Sequence, residues 1–304
     1  LQKLMLAGNA LTELPTSLAA CTKLELLRIA ANRLSALPPW LLDMPRLAWL
    51  AYAGNPFSAA DEAAATPAEN AAGIAWDRLA IEHKLGEGAS GVIYRATLCE
   101  AGAVAVKLFK GAITSDGLPD CELAACVSAG AHANLIPVLG EVTGHPDKVR
   151  GCAMALIDPA FGNLAGPPSL DSCTRDIYAD GRRFSLEFVL RLAEGIAAAA
   201  RHLHQRGIMH GDLYGHNILA MDDGTALLGD FGAASMHAVD GAPADALQRL
   251  EVRAFGVLLG ELIERCDAGD RLAHLRELHE QCVQSTVAAR PLFGDIVERI
   301  VASS

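Results

Sequence analysis

The chain has 304 residues and a formal net charge of −11; 51% of its residues are hydrophobic but only 5% aromatic. At about 150 residues per domain this length suggests two domains, with Leu, Ala and Val filling the interior. The acidic balance argues against non-specific binding to nucleic acid or anionic membrane, which needs basic patches, and leaves room for a nucleotide site, where a few local cations suffice.

The first 57 residues repeat. Leu1-x-x-Leu4-x-Leu6-x-x-Asn9-x-Leu11 returns as Leu24-x-x-Leu27-x-Ile29-x-x-Asn32-x-Leu34 and as Leu47-x-x-Leu50-x-Tyr52-x-x-Asn55-x-Phe57, 23 residues apart each time. Leu at alternate positions of a short strand points inward, and the Asn side chain can bond backbone groups where the chain turns. Leu14-Pro15 and Leu37-Pro38 start the return segments. The pattern resembles leucine-rich repeats, whose period is about 20–29 residues, and three copies are about the minimum for a stable stack. Exposed strand positions such as Met5, Arg28 and Trp49 should line a concave face, which serves either to recruit a protein or to stabilise the rest of the chain. Residues 58–75 turn Ala-rich, with Pro67, Glu69, Asn70 and Gly73. They form a linker for which helix and flexible chain are both open.

Gly86-x-Gly88-x-x-Gly91 comes next, followed by Val92-Ile93-Tyr94. Glycines let backbone N–H groups approach phosphates. A dinucleotide-binding turn would open a helix here, whereas these β-branched residues predict a strand and hence a hairpin lid. Val104-Ala105-Val106-Lys107 then ends an apolar strand on a cation suited to the nucleotide phosphates. Such a Lys needs a carboxylate to hold it. Glu122, in a helical stretch over 120–131, is the candidate, with Glu100 and Glu141 as competitors.

Residues 158–179 read as a loop without evident chemistry. Apolar residues then recur at three and four from Leu186 to Leu203, predicting a helix over 184–206 with Ser185 as N-cap and Gly207 as the stop. It delivers the chain to His210-Gly211-Asp212-Leu213-Tyr214-Gly215-His216-Asn217, and Asp230-Phe231-Gly232 follows 18 residues after Asp212. One carboxylate facing an acceptor hydroxyl, with an Asn and a second carboxylate holding Mg²⁺, is what phosphoryl transfer needs.

In this order the motifs resemble the eukaryotic-type protein kinase family over about residues 76–304. The resemblance implies an α+β two-lobed kinase fold, preceded by a short leucine-rich repeat solenoid (α/β). Its parts would be repeats over 1–57, a linker over 58–75, the N-lobe and hinge over 76–157 and the C-lobe over 158–304. It implies ATP and Mg²⁺ as cofactors. Gly86, Gly88, Gly91, Ile93, Ala105 and Lys107 would bind the nucleotide, with Ala155 and Ile157 at a hinge beyond the gatekeeper Met154. Asp212 would be the general base, Lys107 and Glu122 its catalytic companions, and Asn217 and Asp230 the metal ligands. His210 should pack against the Asp-Phe-Gly segment and Phe231 between the lobes; His202, His204 and His216 show no partner pattern.

Several positions depart from the family. Gly211 replaces the usual Arg (a non-RD kinase), and Ser235 is the only hydroxyl side chain between Phe231 and Leu250, which argues against an activation-loop phosphorylation switch. Tyr214 stands where serine/threonine kinases carry Lys. Glu251-Val252-Arg253-Ala254-Phe255-Gly256 begins only 21 residues after Asp230, with no Ala-Pro-Glu between, so the peptide-seating segment is short. Arg290 then lacks its usual Glu, with Glu251 as a substitute partner. Helices are expected over 252–266, 270–283 and 293–302, with Glu261, Glu264, Arg276 and Glu280 on solvated faces.

These residues point to a protein kinase of Ser/Thr type, with autophosphorylation left open. The alternatives are a small-molecule kinase like the aminoglycoside and choline kinases, or a nucleotide-binding scaffold. Eight cysteines without metal or redox spacing, no signal peptide and no apolar span predict a cytoplasmic protein. Repeats fused directly to the kinase resemble soluble bacterial proteins. The start at Leu1, inside a repeat, predicts a fragment.

Overall fold

The computed structural model describes residues 1–65, 73–88, 90–99, 101–111 and 113–302. Pro67, Glu69 and Asn70 of the linker, Ala89 of the glycine loop and Glu100 lie outside them.

Three short strands, β1 (Lys3–Met5), β2 (Leu26–Arg28) and β3 (Trp49–Ala51), pair in parallel with Lys3, Leu26 and Trp49 in line. The sequence period is therefore the strand-to-strand offset. The Asn positions fix the turns. The Asn32 amide donates to the carbonyls of Leu6, Ile29 and Ala30 at 2.9, 3.0 and 3.2 Å and accepts from the Leu11 N–H at 3.1 Å. Asn55 repeats this one turn on, donating to Ile29 and Tyr52 and accepting from Leu34. Short 3-10 turns at Thr16–Ala20 and Pro39–Asp43 carry the chain back.

The strand face does not look out to solvent. Met5 is exposed as expected, but Arg28 and Trp49 are each only 1% exposed. Leu26, Ala48 and Trp49 share a buried cluster with Leu213, Tyr214 and Val252. Leu24, Leu27 and Leu50 share another with Met209, Leu247, Leu250 and Val287. Burial of apolar surface favours the folded state by about 25 cal/mol per Å², and this face gains it against the rest of the chain. A recruiting concave surface at Arg28 and Trp49 is thereby corrected.

After α1 (Ala59–Ala64), the chain builds a six-stranded sheet from β4 (Ile74–Ala75), β5 (Leu79–Glu87), β6 (Gly91–Leu98), β7 (Gly102–Phe109), β8 (Val138–Thr143) and β9 (Gly151–Ala155). The order is β4-β8-β9-β7-β6-β5, and only the β4–β8 pair is parallel. The glycines close the β5–β6 hairpin as the residues after Gly91 predicted. Between β7 and β8, α2 (Pro119–Ala129) packs Leu123 against Phe109 and Cys152.

The second half is mostly helical. After β10 (Gly162–Asn163) comes α3 (Leu186–Gln205), capped by the Ser185 hydroxyl, which accepts from the Phe188 N–H at 3.1 Å. Gly207, at φ +70°, ends it in the left-handed conformation that glycine tolerates best. Then follow β11 (Ile208–Met209), β12 (Ile218–Ala220), β13 (Ala226–Leu228), β14 (Ser235–Met236), α4 (Ala242–Glu264), α5 (Ala273–Cys282) and α6 (Phe293–Val301). Helix α4 starts ten residues before the expected 252. Pro243 suits its first turn, and Leu247 and Leu250 bury against the repeats. Among the described residues no helix is long and apolar enough to cross a membrane. All eight cysteines are free.

Candidate active site

The cleft between the sheet and the helical half brings together Lys107, Glu122 and Asp230, with Asn217 beside Asp212. Strand β7 points Lys107 at the first turn of α2, where its Nζ pairs with the buried Glu122 carboxylate and lies 3.9 Å from Asp230 Oδ1. Burial works against the ammonium, but Asp230 and Glu122 outweigh it and raise the Lys107 pKa. The competing Glu141 is engaged on the surface by Arg150 at 2.8 Å. Gly91 is required by space: a Cβ there would sit 2.7 Å from the Leu108 carbonyl and 3.2 Å from Lys107 Cε.

These groups surround a cavity of about 120 Å³ lined by Gly88, Ser90, Gly91, Ile93, Lys107, Thr114, Asp116, Asp230 and Gly232. Its glycines, ammonium and carboxylate fit the phosphate end of a nucleotide. Small-molecule pockets usually span about 300–1,000 Å³, so this cavity matches the phosphate end rather than a whole nucleotide. Ala105, Ala155 and Ile157 lie outside this lining. The Ala155 N–H donates to the Pro137 carbonyl at 2.9 Å, so it is not free for adenine. Gly86 has open space around it. Larger cavities lie elsewhere, one of about 680 Å³ between α4 and α5; it holds none of the predicted site residues.

The loop that carries Asp212 runs from β11 to β12, and three sets of contacts from residues 176–251 tie it down. From below, Glu251 of α4 accepts from the N–H groups of His210 and Gly211 at 3.2 and 2.6 Å and bonds the His204 ring at 2.6 Å. Burial raises the Glu251 carboxyl, but its histidine and backbone partners outweigh this and lower it. From the side, Asp176 accepts from the Gly215 and His216 N–H groups at 2.6 and 3.3 Å and bonds His216 Nδ1 at 2.7 Å. Burial disfavours the His216 imidazolium, yet Asp176 and Asp212 prevail and raise its pKa. From inside, Asn217 donates to the Asp212 carbonyl and Oδ2 at 2.9 and 2.8 Å. This amide assignment points the Asn217 oxygen elsewhere, free to face a metal. His210 bonds the Gly229 carbonyl at 2.9 Å, and its ring lies 5.3 Å from that of Phe231, which is buried.

The fourth contact comes from the repeats. Arg28 pairs with Asp212 Oδ1, donates to the Gly211 carbonyl at 2.9 Å and to Asp116 at 2.7 Å. The Trp49 indole donates to the Leu213 carbonyl at 3.1 Å and stacks on Tyr214, ring centroids 4.2 Å apart. The Tyr52 N–H donates to Ser235 Oγ at 3.0 Å. Ser235 is 1% exposed, so the one hydroxyl of this stretch is sealed.

Three expectations are overturned here. Glu251 does not pair with Arg290, because the backbone of His210 and Gly211 takes both its oxygens. Arg290 instead donates to the carbonyls of Gln284, Arg249 and Pro45, and burial pulls its pKa down to about 9. The loop over 158–179 is not idle, since it supplies Asp176; nothing local in the sequence marks that residue. The histidines have partners too: His204 with Glu251, His216 with Asp176, and His202 with the Ala129 carbonyl at 2.7 Å. Arg28 did carry a signal, being a cation inside the apolar run Leu26-Leu27-Arg28-Ile29.

A family model described as protein tyrosine and serine/threonine kinase matches residues 79–253. A nodulation receptor kinase of Pisum sativum is 32% identical over 181 residues, 56% of this chain and 17% of its own. A probable LRR receptor-like serine/threonine-protein kinase of Arabidopsis thaliana is 29% identical over 171 residues, 54% of this chain and 26% of its own. Fibroblast growth factor receptor 1 of Pleurodeles waltl is 27% identical over 182 residues, 54% of this chain and 22% of its own. The chain spans about a quarter or less of the length of these curated relatives.

Proposed function

The chain belongs to the protein tyrosine and serine/threonine kinase family, and from that premise we propose that it transfers the ATP γ-phosphoryl group to a protein hydroxyl, of Ser/Thr type, with Mg²⁺. The observation that carries this reading is Lys107 held between Glu122 and Asp230, facing a loop on which Asn217 bonds Asp212. ATP with Mg²⁺ would supply the transferable phosphoryl group. Lys107 presents its ammonium to the phosphates, and the backbone around Gly88 and Gly91 covers them. The Asn217 amide oxygen and the Asp230 carboxylate are the metal ligands. Asp212 orients the acceptor hydroxyl and takes its proton. Catalysis by such a set is mainly positioning and charge stabilisation.

A second reading is favoured by one observation. The period-23 strands, which we take as leucine-rich repeats, cover Gly211 to Tyr214, where an extended peptide would lie. That suits a small hydroxyl acceptor.

The test is phosphate transfer from γ-labelled ATP by the full chain, offered generic proteins and then small hydroxyl compounds. Lys107→Met and Asp212→Asn should each lower transfer by about a thousandfold or more with thermal melting retained. Label on protein supports the first reading and label on small compounds alone the second. Undiminished transfer in both variants would remove the assignment. ATP binding without any transfer would point to a nucleotide-binding scaffold.

A further inference from the structure

Arg28 is the repeat residue that reaches furthest into the site. It stands at the end of β2, buried, with each guanidinium nitrogen engaged: Nε on Asp116 at 2.7 Å, Nη1 on the Gly211 carbonyl at 2.9 Å, and Nη2 on Asp212 Oδ1. Burial works against the cation, but Asp212 and Asp116 outweigh it and raise its pKa. The loop has no room for a cation of its own beside Asp212. Gly211 is at φ +75°, and a Cβ there would lie 2.4 Å from the Ala233 carbonyl and 2.8 Å from that of Leu50 in β3. The Ala233 carbonyl and the positive φ already keep a side chain at 211 out, and the docked Leu50 carbonyl closes the space further.

We propose that Arg28 is a positioning residue of the phosphotransfer site, a guanidinium lent by the repeat segment that fixes Asp212 in its working orientation. This rests on the phosphotransferase reading above. Two observations separate positioning from blocking. An ionised carboxylate has about four lone-pair sites, and Arg28 and Asn217 occupy one on each oxygen, which leaves others for an acceptor hydroxyl. The cation is also built in rather than latched on, because the neighbouring Leu26, Ala48 and Trp49 lie in one core with Leu213 and Tyr214. Around it the site is assembled, with Lys107 on Glu122 and Phe231 buried.

The experiment compares full-length wild type with Arg28→Ala, Arg28→Gln and Arg28→Lys, measuring kcat, KM for ATP and melting temperature, with and without millimolar guanidinium ion. Positioning predicts that Arg28→Ala loses about a hundredfold in kcat with KM for ATP within about twofold. Added guanidinium should restore part of that rate and leave wild type unchanged. Arg28→Lys should fall between, since a point charge replaces a planar fork. Should Arg28→Ala fail to fold, Arg28→Gln, shorter and neutral but still able to donate hydrogen bonds, carries the same comparison. A folded variant with unchanged or raised turnover would overturn the proposal, as would a loss that tracks melting temperature and ignores guanidinium. A silent wild type beside an active Arg28→Ala would keep the kinase reading and convict Arg28 as a block. If both are silent while ATP still binds, the kinase reading falls and the proposal with it.

Discussion

Glu261 shows what burial does to a charge that the sequence places on a helix surface. Its carboxylate accepts the Tyr178 hydroxyl at 3.1 Å. Burial first, then the nearby Asp176 carboxylate, push its pKa from the ordinary 4.5 up to about 7. The folded chain therefore binds more protons than the unfolded one between those values. The stability contributed is full below the lower value and is lost as pH rises through the upper one. Glu261→Gln keeps an acceptor for Tyr178 and removes the charge. It should gain about 1–3 kcal/mol at pH 8 and almost nothing at pH 4, read from urea melts at the two pH values. A gain of equal size at both would show that ionisation is not the cause. The same contrast governs how much of the site the sequence discloses. Asp212 and Asn217 are legible because five positions on one loop bring them together, and Lys107 and Asp230 because each stands in a short motif of its own. The partnership of Arg28 with Asp212 spans 184 positions and that of Asp176 with Gly215 spans 39. No local pattern encodes either, since each depends on how separate elements dock.

The strands β1 to β3 were readable as elements, because the period, the buried Leu positions and the turn-forming Asn side chains all act within or between adjacent repeats. Their orientation was not readable. Trp49 looks like an exposed aromatic on a binding face only if nothing covers that face, and the sequence does not say what does. In the structure β3 is a buried strand of the assembly, its indole stacked on Tyr214 and donating to Leu213. Trp49→Ala should therefore cost about 3–5 kcal/mol, measured by chemical denaturation, rather than the near-zero cost of trimming an exposed side chain. A change below about 0.5 kcal/mol would mean that the face is open in solution. The early start of α4 belongs to the same account. Residues 242–251 hold only two large apolar side chains, Leu247 and Leu250, and these become core only because the repeats supply the other wall.

For the whole molecule, the question is whether the repeats are a module beside the kinase or a part of it. A module buries its own face and leaves a linker; here two clusters run across the junction. Arg290, buried and paired with no carboxylate among the described residues, donates to the Pro45 carbonyl and ties the C-terminal half to the second return segment. Glu25 does the same from β2's side, accepting from Thr174 at 2.6 Å and Arg175 at 2.8 Å. Removing residues 1–57 would uncover Met209, Leu247, Leu250 and Val287 together and strip Asp212 of its guanidinium. The truncated chain should melt without a sharp transition, bind a hydrophobic dye and transfer no phosphate. The full chain should unfold in one calorimetric step whose enthalpy agrees with the van't Hoff value. Two separate transitions, or a compact and active chain of residues 58–304, would make the repeats an appendage. The single step would instead make them the replacement for the shortened segment after Asp230, supplying from the N-terminal side the wall that those 21 residues are too few to build.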